Sequence, residues 1–369
     1  MEFSNFEANI IFELCFVTLQ HRFNPFLERT AHSIGTIIFT DIRSATDWKI
    51  LFDFMEPHDI YTREEIKLLR CCTICPRECG VNRFEGHAGY CGTDAGMNIA
   101  SICVHRGEEP PISGPDGICN IFFSGCNMRC IYCQNHEISR HSGSSAGSSL
   151  TGFNQAVKTI TSILDKGIKA VGFVSPSHVV PQVKALIREL NRLGYKPVTV
   201  YNTNSYDKPE TLREIAGMID VYLPDYKYCT SEISRTCSDA YNYPGIAIKA
   251  LKEMYYQKGS TLFTDDEGIA VRGMLVRHLV LPGNVEETIK VLGSIAEELS
   301  PGVHISIMSQ YNPLFVSAGY NSLGRKLHSE EYLRAVEEMT SLGFRNGWLQ
   351  DPESYDNYLP DFTRDHPFE

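Results

Sequence analysis

The segment CNIFFSGCNMRCIYCQN, residues 119–135, joins a short apolar run to three closely spaced cysteines. The apolar part, CNIFFSG, predicts a buried β-strand that ends at Cys126. The loop after it places Cys126, Cys130 and Cys133 in C-x-x-x-C-x-x-C spacing. Three thiolates this close in sequence can surround one metal centre, so the segment predicts a metal site at the end of a strand.

The number of local cysteines bears on the kind of metal. Iron–sulfur clusters are usually held by four cysteine thiolates, so a local set of three leaves one iron without a protein ligand. An open position is also what separates catalytic from structural zinc sites. Spacing favours an iron–sulfur cluster, and it leaves open a zinc site or three cysteines packed as small apolar groups.

Downstream of this segment, apolar runs with strand character alternate with segments of helical periodicity. Counting the strand at 119–125, six such strand–helix units follow one another to about residue 345. Strict alternation predicts parallel strands with right-handed crossovers. No G-x-G-x-x-G turn follows the first strand, and almost every strand ends in a polar residue. Both features favour a partial (β/α)6 TIM-like barrel of α/β class over an open dinucleotide-binding sheet.

Composition limits the class of protein. The net charge of -11 over 369 residues argues against a general nucleic-acid binder. The 13 cysteines concentrate in two groups with metal-type spacing, which indicates a reducing compartment rather than a disulfide framework. No signal-peptide pattern opens the chain, and no apolar run reaches the ~20 residues of a membrane span. These features predict a cytoplasmic protein without a membrane partner.

The same patterns suggest four segments. Residues 1–68 form an N-terminal extension of unknown role, 69–104 a Cys-rich module, 105–345 the barrel, and 346–369 a C-terminal tail. In the module, Cys72, Cys75, Cys79 and Cys91 predict a closed structural site for zinc or a second iron–sulfur cluster, with a redox disulfide or free thiols as alternatives. Just after it, Glu108 and Glu109 can face a substrate, although solvent exposure is their expected state.

The cysteine spacing with an aromatic residue, Tyr132, before the third cysteine resembles the signature of radical S-adenosylmethionine enzymes. The segments CTICPRECGVNR, IFFSGCNMRCIYCQNHEIS, VYNTNSYD and VYLPDYKY further resemble the PflX-type subgroup, relatives of pyruvate formate-lyase activating enzymes. The resemblance spans about residues 70–315. It implies that Cys126, Cys130 and Cys133 hold a 4Fe-4S cluster that reductively cleaves S-adenosylmethionine into a 5′-deoxyadenosyl radical for hydrogen abstraction.

The resemblance also assigns expected cofactor contacts. Asn202 and Asn204 correspond to a D-T-N-G stretch, Asp225 and Lys227 to a D-L-K stretch, and His278 to a histidine near the adenosylmethionine. Lys227 can neutralise a carboxylate, and the other side chains can hydrogen-bond hydroxyl or amino groups. No residue is assigned to catalysis itself.

One departure concerns the end of the second strand. Activating enzymes carry G-G-E there, whereas this chain has Ser175, Pro176, Ser177 and His178. The hydroxyls of Ser175 and Ser177 can accept from an amine, but no carboxylate is present. The radical chemistry is therefore better specified than its target.

The resemblance implies S-adenosylmethionine, an external donor of flavodoxin or ferredoxin type, and a protein substrate such as a glycyl radical enzyme. The alternatives are radical modification of a peptide, RNA or small molecule, and a non-catalytic Fe-S or zinc protein with a scaffold or redox-sensing role.

Overall fold

The structure is a computed structural model of the chain. It describes residues 60–140, 152–313, 322–351, 359–364 and 366–368. The chain divides into two compact units, Met1–Phe54 and Met55–Glu369, and all the described residues belong to the second. Most of the predicted N-terminal extension therefore lies outside the described residues.

The described part alternates strands and helices, as the sequence predicts. The strands are β1 Ile99–His105, β2 Ile118–Phe123, β3 Ala170–Val174, β4 Val198–Thr203, β5 Val221–Pro224, β6 Phe263–Thr264, β7 Ala270–Leu279, β8 His304–Met308 and β9 Gly347–Leu349. The helices are α1 Arg63–Arg70, α2 Pro110–Ser113, α3 His136–Ser139, α4 Phe153–Leu164, α5 Val180–Arg192, α6 Pro209–Ile215, α7 Ser231–Ser238, α8 Tyr243–Lys258, α9 Val285–Glu298 and α10 Ser329–Ser341. In this part of the chain, no helix is long and apolar enough to cross a membrane.

The strands form one open sheet in the order β1-β2-β3-β4-β5-β7-β8-β9. All pairs from β2 to β9 along this path are parallel, while β1 pairs antiparallel with β2 and β6 pairs antiparallel with β7. The six predicted strand–helix units are confirmed. Of the predicted partial barrel, the structure shows an open, mostly parallel sheet, with β1 and β9 as its edges over the described residues. The sheet is also wider than expected, because β1, β6 and β9 were not predicted.

Alternation of side chains along the strands gives the sheet two different faces. On β2, Cys119, Ile121 and Phe123 are buried in the main core against the helices. On the other face, Ile118 belongs to a smaller apolar cluster that includes Val221 and seven further side chains from the sheet and its flanks. Farther along the same face, toward the carboxyl ends of the strands, come the polar residues Asn120 of β2 and Asn202 of β4.

Gly172 on β3 makes room for a polar side chain on that face. It pairs with Asn120 of β2, and a Cβ at position 172 would overlap the Asn120 amide oxygen. Asn120 is buried and donates to the Glu108 carboxylate at 3.0 Å. A glycine in the middle of a strand thus positions a glutamate that enters from outside the sheet.

The Cys-rich segment packs directly on the loop that carries the cysteine triad. Arg83 is buried and donates to the carbonyl of His178 at 2.8 Å and to Cys91 Sγ at 3.3 Å. Gly125 has a φ of +75°, and a Cβ there would overlap the Cys91 carbonyl oxygen. Arg77 adds a hydrogen bond of 2.9 Å from Nε to the Asn127 carbonyl. These contacts hold the start of the triad loop against the Cys-rich segment.

Candidate metal and cofactor site

A cavity of about 470 Å³ lies at the carboxyl ends of the parallel strands. All the predicted residues of the first site except Ser177 and His278 line it. The lining residues that the sequence singled out are Cys126, Cys130, Cys133, Tyr132, Ser175, Asn202, Asn204, Asp225 and Lys227. The fold therefore brings together side chains that are up to a hundred residues apart in the sequence.

The three triad sulfurs each have a hydrogen-bonding neighbour. Cys126 Sγ accepts from the backbone amide of Met128 at 3.4 Å and from Asn204 Nδ2 at 3.6 Å. Cys130 Sγ accepts from the Ser238 hydroxyl at 3.0 Å. Cys133 Sγ lies 3.4 Å from the Ser139 hydroxyl. Hydrogen bonds to the ligand sulfurs help set the reduction potential of an iron–sulfur cluster, so these neighbours suit such a group.

The chemistry of the triad fits an iron–sulfur cluster. Burial raises the pKa of the Cys126 thiol to about 12 and also raises that of Cys133, so metal binding must release their protons. No three His, Cys, Asp or Glu side chains of the described residues lie close enough together to hold a single ion. A 4Fe-4S cluster spreads its ligands over several irons and accepts a wider spacing. Of the cysteines in the described part, only these three line the cavity.

Tyr132 anchors a chain of hydroxyl groups behind the triad. It is buried, and its hydroxyl hydrogen-bonds that of Tyr228. The Tyr228 hydroxyl lies 2.7 Å from the Ser238 hydroxyl, which donates to Cys130 Sγ. The aromatic position of the motif thus supports a ligand sulfur while its ring forms part of the cavity wall.

Asn202 and Asn204 project from the end of β4 toward different neighbours. Asn204 Nδ2 donates to Asn127 Oδ1 at 2.9 Å as well as to the first triad sulfur. Asn202 instead donates to Glu108 at 3.2 Å and accepts from Arg277 at 2.6 Å. One asparagine therefore serves the cysteine loop, and the other belongs to a charged cluster deeper in the cavity.

That cluster centres on Arg277, which sequence reasoning missed. Its Nε donates to Asp225 at 2.9 Å, and its Nη1 donates to Glu108 at 3.0 Å. Lys227 donates to the other Asp225 oxygen at 2.7 Å. Burial raises the pKa of Asp225, but the Arg277 and Lys227 cations outweigh burial and hold it below its ordinary value. Burial lowers the pKa of Lys227, and Asp225 more than restores it. Both groups therefore stay charged.

The two glutamates are not solvent-exposed, contrary to expectation. The side chains of Glu108 and Glu109 are 10% and 8% exposed, and both line the cavity. The short turn at Glu109 and Pro110 opens α2 and brings both carboxyl groups inward. The exposure prediction failed because residues that follow a Cys-rich segment give no periodic signal of burial.

Three other predicted residues differ in where they lie. Ser175, with a φ of +52°, lines the cavity at the end of β3. Ser177 is buried beside Thr203, with 3.0 Å between the hydroxyls, and does not line the cavity. His278 is buried on the opposite face of β7, where its Nε2 meets the Thr288 hydroxyl at 2.9 Å, and burial lowers its pKa to about 4.

The four cysteines of the second group are also brought near one another. Cys72, Cys75 and Cys91 are buried, and Cys79 is half-buried. Burial raises the pKa of Cys75 to about 12, with smaller contributions from the other three thiols. The Tyr90 amide approaches Cys79 Sγ at 3.5 Å, which brings Cys79 beside Cys91. The metal of this group stays a prediction.

Known proteins resemble this region of the chain. Residues 112–240 match the family model of the 4Fe-4S single cluster domain. That span includes the triad and strands β2 to β5, and it supports a 4Fe-4S cluster as the group for the three cysteines. An uncharacterized protein of Methanocaldococcus jannaschii is 28% identical over 291 residues, which is 77% of this chain and 79% of that protein. A second uncharacterized protein of that organism is 29% identical over 82 residues, which is 19% of this chain and 24% of that protein.

Two solved structures show weaker similarity. Streptococcus suis SuiB bound to S-adenosylmethionine has 15% identity and a TM-score of 0.41, over 64% of this chain and 52% of that one. The chain thus spans about half the length of SuiB. A domain of the pyruvate-formate lyase-activating enzyme from Bacteroides vulgatus has 13% identity and a TM-score of 0.33, over 47% of this chain and 93% of that one. At such TM-scores, neither similarity establishes a shared fold.

Proposed function

We propose that this protein is a radical S-adenosylmethionine enzyme that uses a 4Fe-4S cluster to generate a 5′-deoxyadenosyl radical for hydrogen abstraction. The observation that carries the proposal is the placement of three cysteine sulfurs on a cavity of about 470 Å³ lined with polar side chains. The match of residues 112–240 to a 4Fe-4S single cluster domain supports it independently.

When bound, the cluster supplies the single electron that reductively cleaves the sulfonium of the cofactor. The protein holds the three ligand thiols on the cavity wall. Lys227 is charged and can pair with the methionine carboxylate of the cofactor. Ser175 and Asn204 have polar atoms on the cavity wall that can orient amino or hydroxyl groups. Ser177 and His278 act indirectly, by supporting the strands that carry the lining residues.

The first experiment measures cofactor cleavage. Anaerobically reconstituted, dithionite-reduced protein should convert S-adenosylmethionine into 5′-deoxyadenosine and methionine. Cys130→Ala should abolish the product and the cluster's electron paramagnetic resonance signal, whereas Cys229→Ala, a half-buried cysteine outside the cavity lining, should retain both. An intact cluster without either product would refute the enzyme and favour a non-catalytic Fe-S protein. Zinc in place of iron would refute the cluster itself.

We further propose glycyl-radical activation as the specific activity, with a flavodoxin- or ferredoxin-type donor. This finer proposal is supported by the sequence segments shared with activating enzymes. The reduced protein, mixed with a candidate glycyl radical enzyme and the cofactor, should produce a protein-based glycyl radical in the electron paramagnetic resonance spectrum. A modified peptide, RNA or small molecule instead would retain the radical chemistry and refute the activase.

We propose the second cysteine group as a structural iron–sulfur site, since no three of its thiols lie close enough together in the described residues to hold a single zinc ion. Elemental analysis of Cys75→Ala against wild-type protein should show loss of one metal centre and lower stability, since structural sites contribute folding energy. An unchanged metal content would refute the site.

A further inference from the structure

The charged cluster of the cavity is unbalanced. Three carboxylates, those of Glu108, Glu109 and Asp225, lie around two cations, Arg277 and Lys227. All five side chains are at least four-fifths buried, with exposures from 8% to 17%. An uncompensated charge in a buried site is costly, so the surplus carboxyl group is either protonated, as the burial that raises the pKa of Glu109 favours, or paired with one additional cation.

The surplus falls on Glu109. Arg277 donates its hydrogen bonds to Asp225, Glu108 and Asn202. Its Nη1 lies 4.0 Å from Glu109 Oε2, too far for a hydrogen bond. Ser306 on β8 is a further neighbour of the Glu109 carboxyl group. Over the described residues, the buried Oε2 atom accepts no hydrogen bond. Glu109 thus lines the cavity with a carboxyl group that the fold leaves incompletely paired.

The position of Glu109 separates it from the cysteine triad. Its neighbours are Arg277 and Ser306, on β7 and β8. Over the described residues, the hydrogen-bonding partners of the triad sulfurs include no glutamate. Glu109 therefore takes no part in holding the triad sulfurs.

We propose that Glu109 binds a cationic group of the substrate, a primary ammonium or a guanidinium. This proposal rests on the proposed function, because it identifies the substrate class of that same cavity. A cation there donates a charge-assisted hydrogen bond to the Glu109 carboxylate and balances the cluster, while a neutral substrate of the same shape leaves the carboxylate without a counter-charge. Glu108 is a positioning residue, since its carboxylate accepts from Arg277.

The test uses n-butylammonium and n-butylguanidinium as probes, with uncharged 1-butanol as the matched neutral molecule. Binding to the anaerobic, cluster-loaded protein is measured by ligand-observed nuclear magnetic resonance at constant ionic strength. At least one cation should bind wild-type protein, and 1-butanol should bind roughly tenfold more weakly or worse. Glu109→Gln should weaken cation binding by roughly tenfold or more, whereas Glu297→Gln, an exposed glutamate on α9, should change it less than about twofold.

Several outcomes would overturn the proposal. Equal binding of the cations to wild-type and E109Q protein would show that Glu109 is a neutral acid satisfied within the fold. An equal loss of S-adenosylmethionine affinity in E109Q, with competition between the cofactor and n-butylammonium, would assign the carboxylate to the cofactor's ammonium. Unchanged cofactor affinity and unchanged 5′-deoxyadenosine release without substrate support the substrate assignment.

The two proposals fail in different ways. Cation binding without any 5′-deoxyadenosine from an intact cluster would refute the proposed function and leave the cation site in place. Release of 5′-deoxyadenosine by a protein that binds neither cation would refute the cation site alone.

Discussion

Arg277→Met removes the centre of the charged cluster and tests whether that cluster organises the cavity. The guanidinium is 12% exposed and donates to Asp225, Glu108 and Asn202. Without it, three buried carboxylates face a single lysine. Breaking a buried ion pair by removing one partner typically costs about 3–5 kcal/mol, so we expect a loss of that size in the free energy of unfolding.

The assay is anaerobic urea unfolding followed by circular dichroism, with the midpoint and the slope compared between variants. Arg272→Met is the matched control, because Arg272 lies on the same strand but is exposed. A surface substitution of this kind should change stability by about 0.5 kcal/mol or less. A loss below about 1 kcal/mol for R277M, or an equal loss in both variants, would show that the cluster contributes little to folding.

The charges that remain in the cluster lead to a second prediction for the same experiment. If Arg277→Met unfolds the protein, the double variant E108Q/R277M should recover part of the stability, because one unpaired carboxylate is removed together with the cation. The pKa of Asp225 is lowered in the wild type, so its favourable contribution is present at neutral pH and is lost as the pH falls through that lowered pKa. In the wild type that loss falls below about pH 4, outside the range from pH 5 to pH 8. In R277M the guanidinium no longer opposes burial, so the carboxyl groups that it faced should take up protons at a higher pH, and the deficit should be smaller at pH 5 than at pH 8. A pH-independent deficit would contradict this reasoning.

Three shorter predictions follow. Gly172→Ala places a methyl group against the buried amide opposite and should cost about 1–3 kcal/mol in urea unfolding, whereas Gly293→Ala, with open space on α9, should stabilise by up to about 1 kcal/mol. Burial raises the pKa of Glu65, but the hydrogen bonds from Arg188 outweigh burial and leave that pKa lowered. The free energy of unfolding should therefore fall as the pH drops below about 5, and it should fall less in Glu65→Gln than in the wild type. Ser238→Ala removes a 3.0 Å donor to a triad sulfur and should lower the cluster's reduction potential in a redox titration, and an unchanged potential would contradict that role.

Much of the fold could be predicted because its signals are local. The helices α4, α5 and α9 carry apolar residues at helical spacing, and the structure places them within about two residues of the expected bounds. The edge strands β1 and β9 were missed for the opposite reason. One lies in a Cys-rich stretch without clear alternation, and the other has three residues, too few to give a periodic pattern.

The spacing of the cysteines was enough to predict that part of the candidate site. The sequence did not show which side chains of a strand face the cavity. Arg277 and His278 are adjacent in sequence, and only the histidine was selected. Successive side chains on a strand point to opposite faces, so Arg277 enters the cavity while His278 packs toward Thr288 of α9. No feature of the segment itself indicates which of the two faces inward.

Two features could be predicted from the amino-acid sequence: the cysteine triad on a loop after a buried strand, and the strand–helix alternation that implies a parallel sheet. Those features depend on residues a few positions apart. Only the tertiary structure decided that Glu108, Asp225 and Arg277 form one buried cluster, with Glu109 carrying its unsatisfied oxygen. The physical reason is that charge balance and burial arise between strands, where parallel crossovers place distant residues side by side.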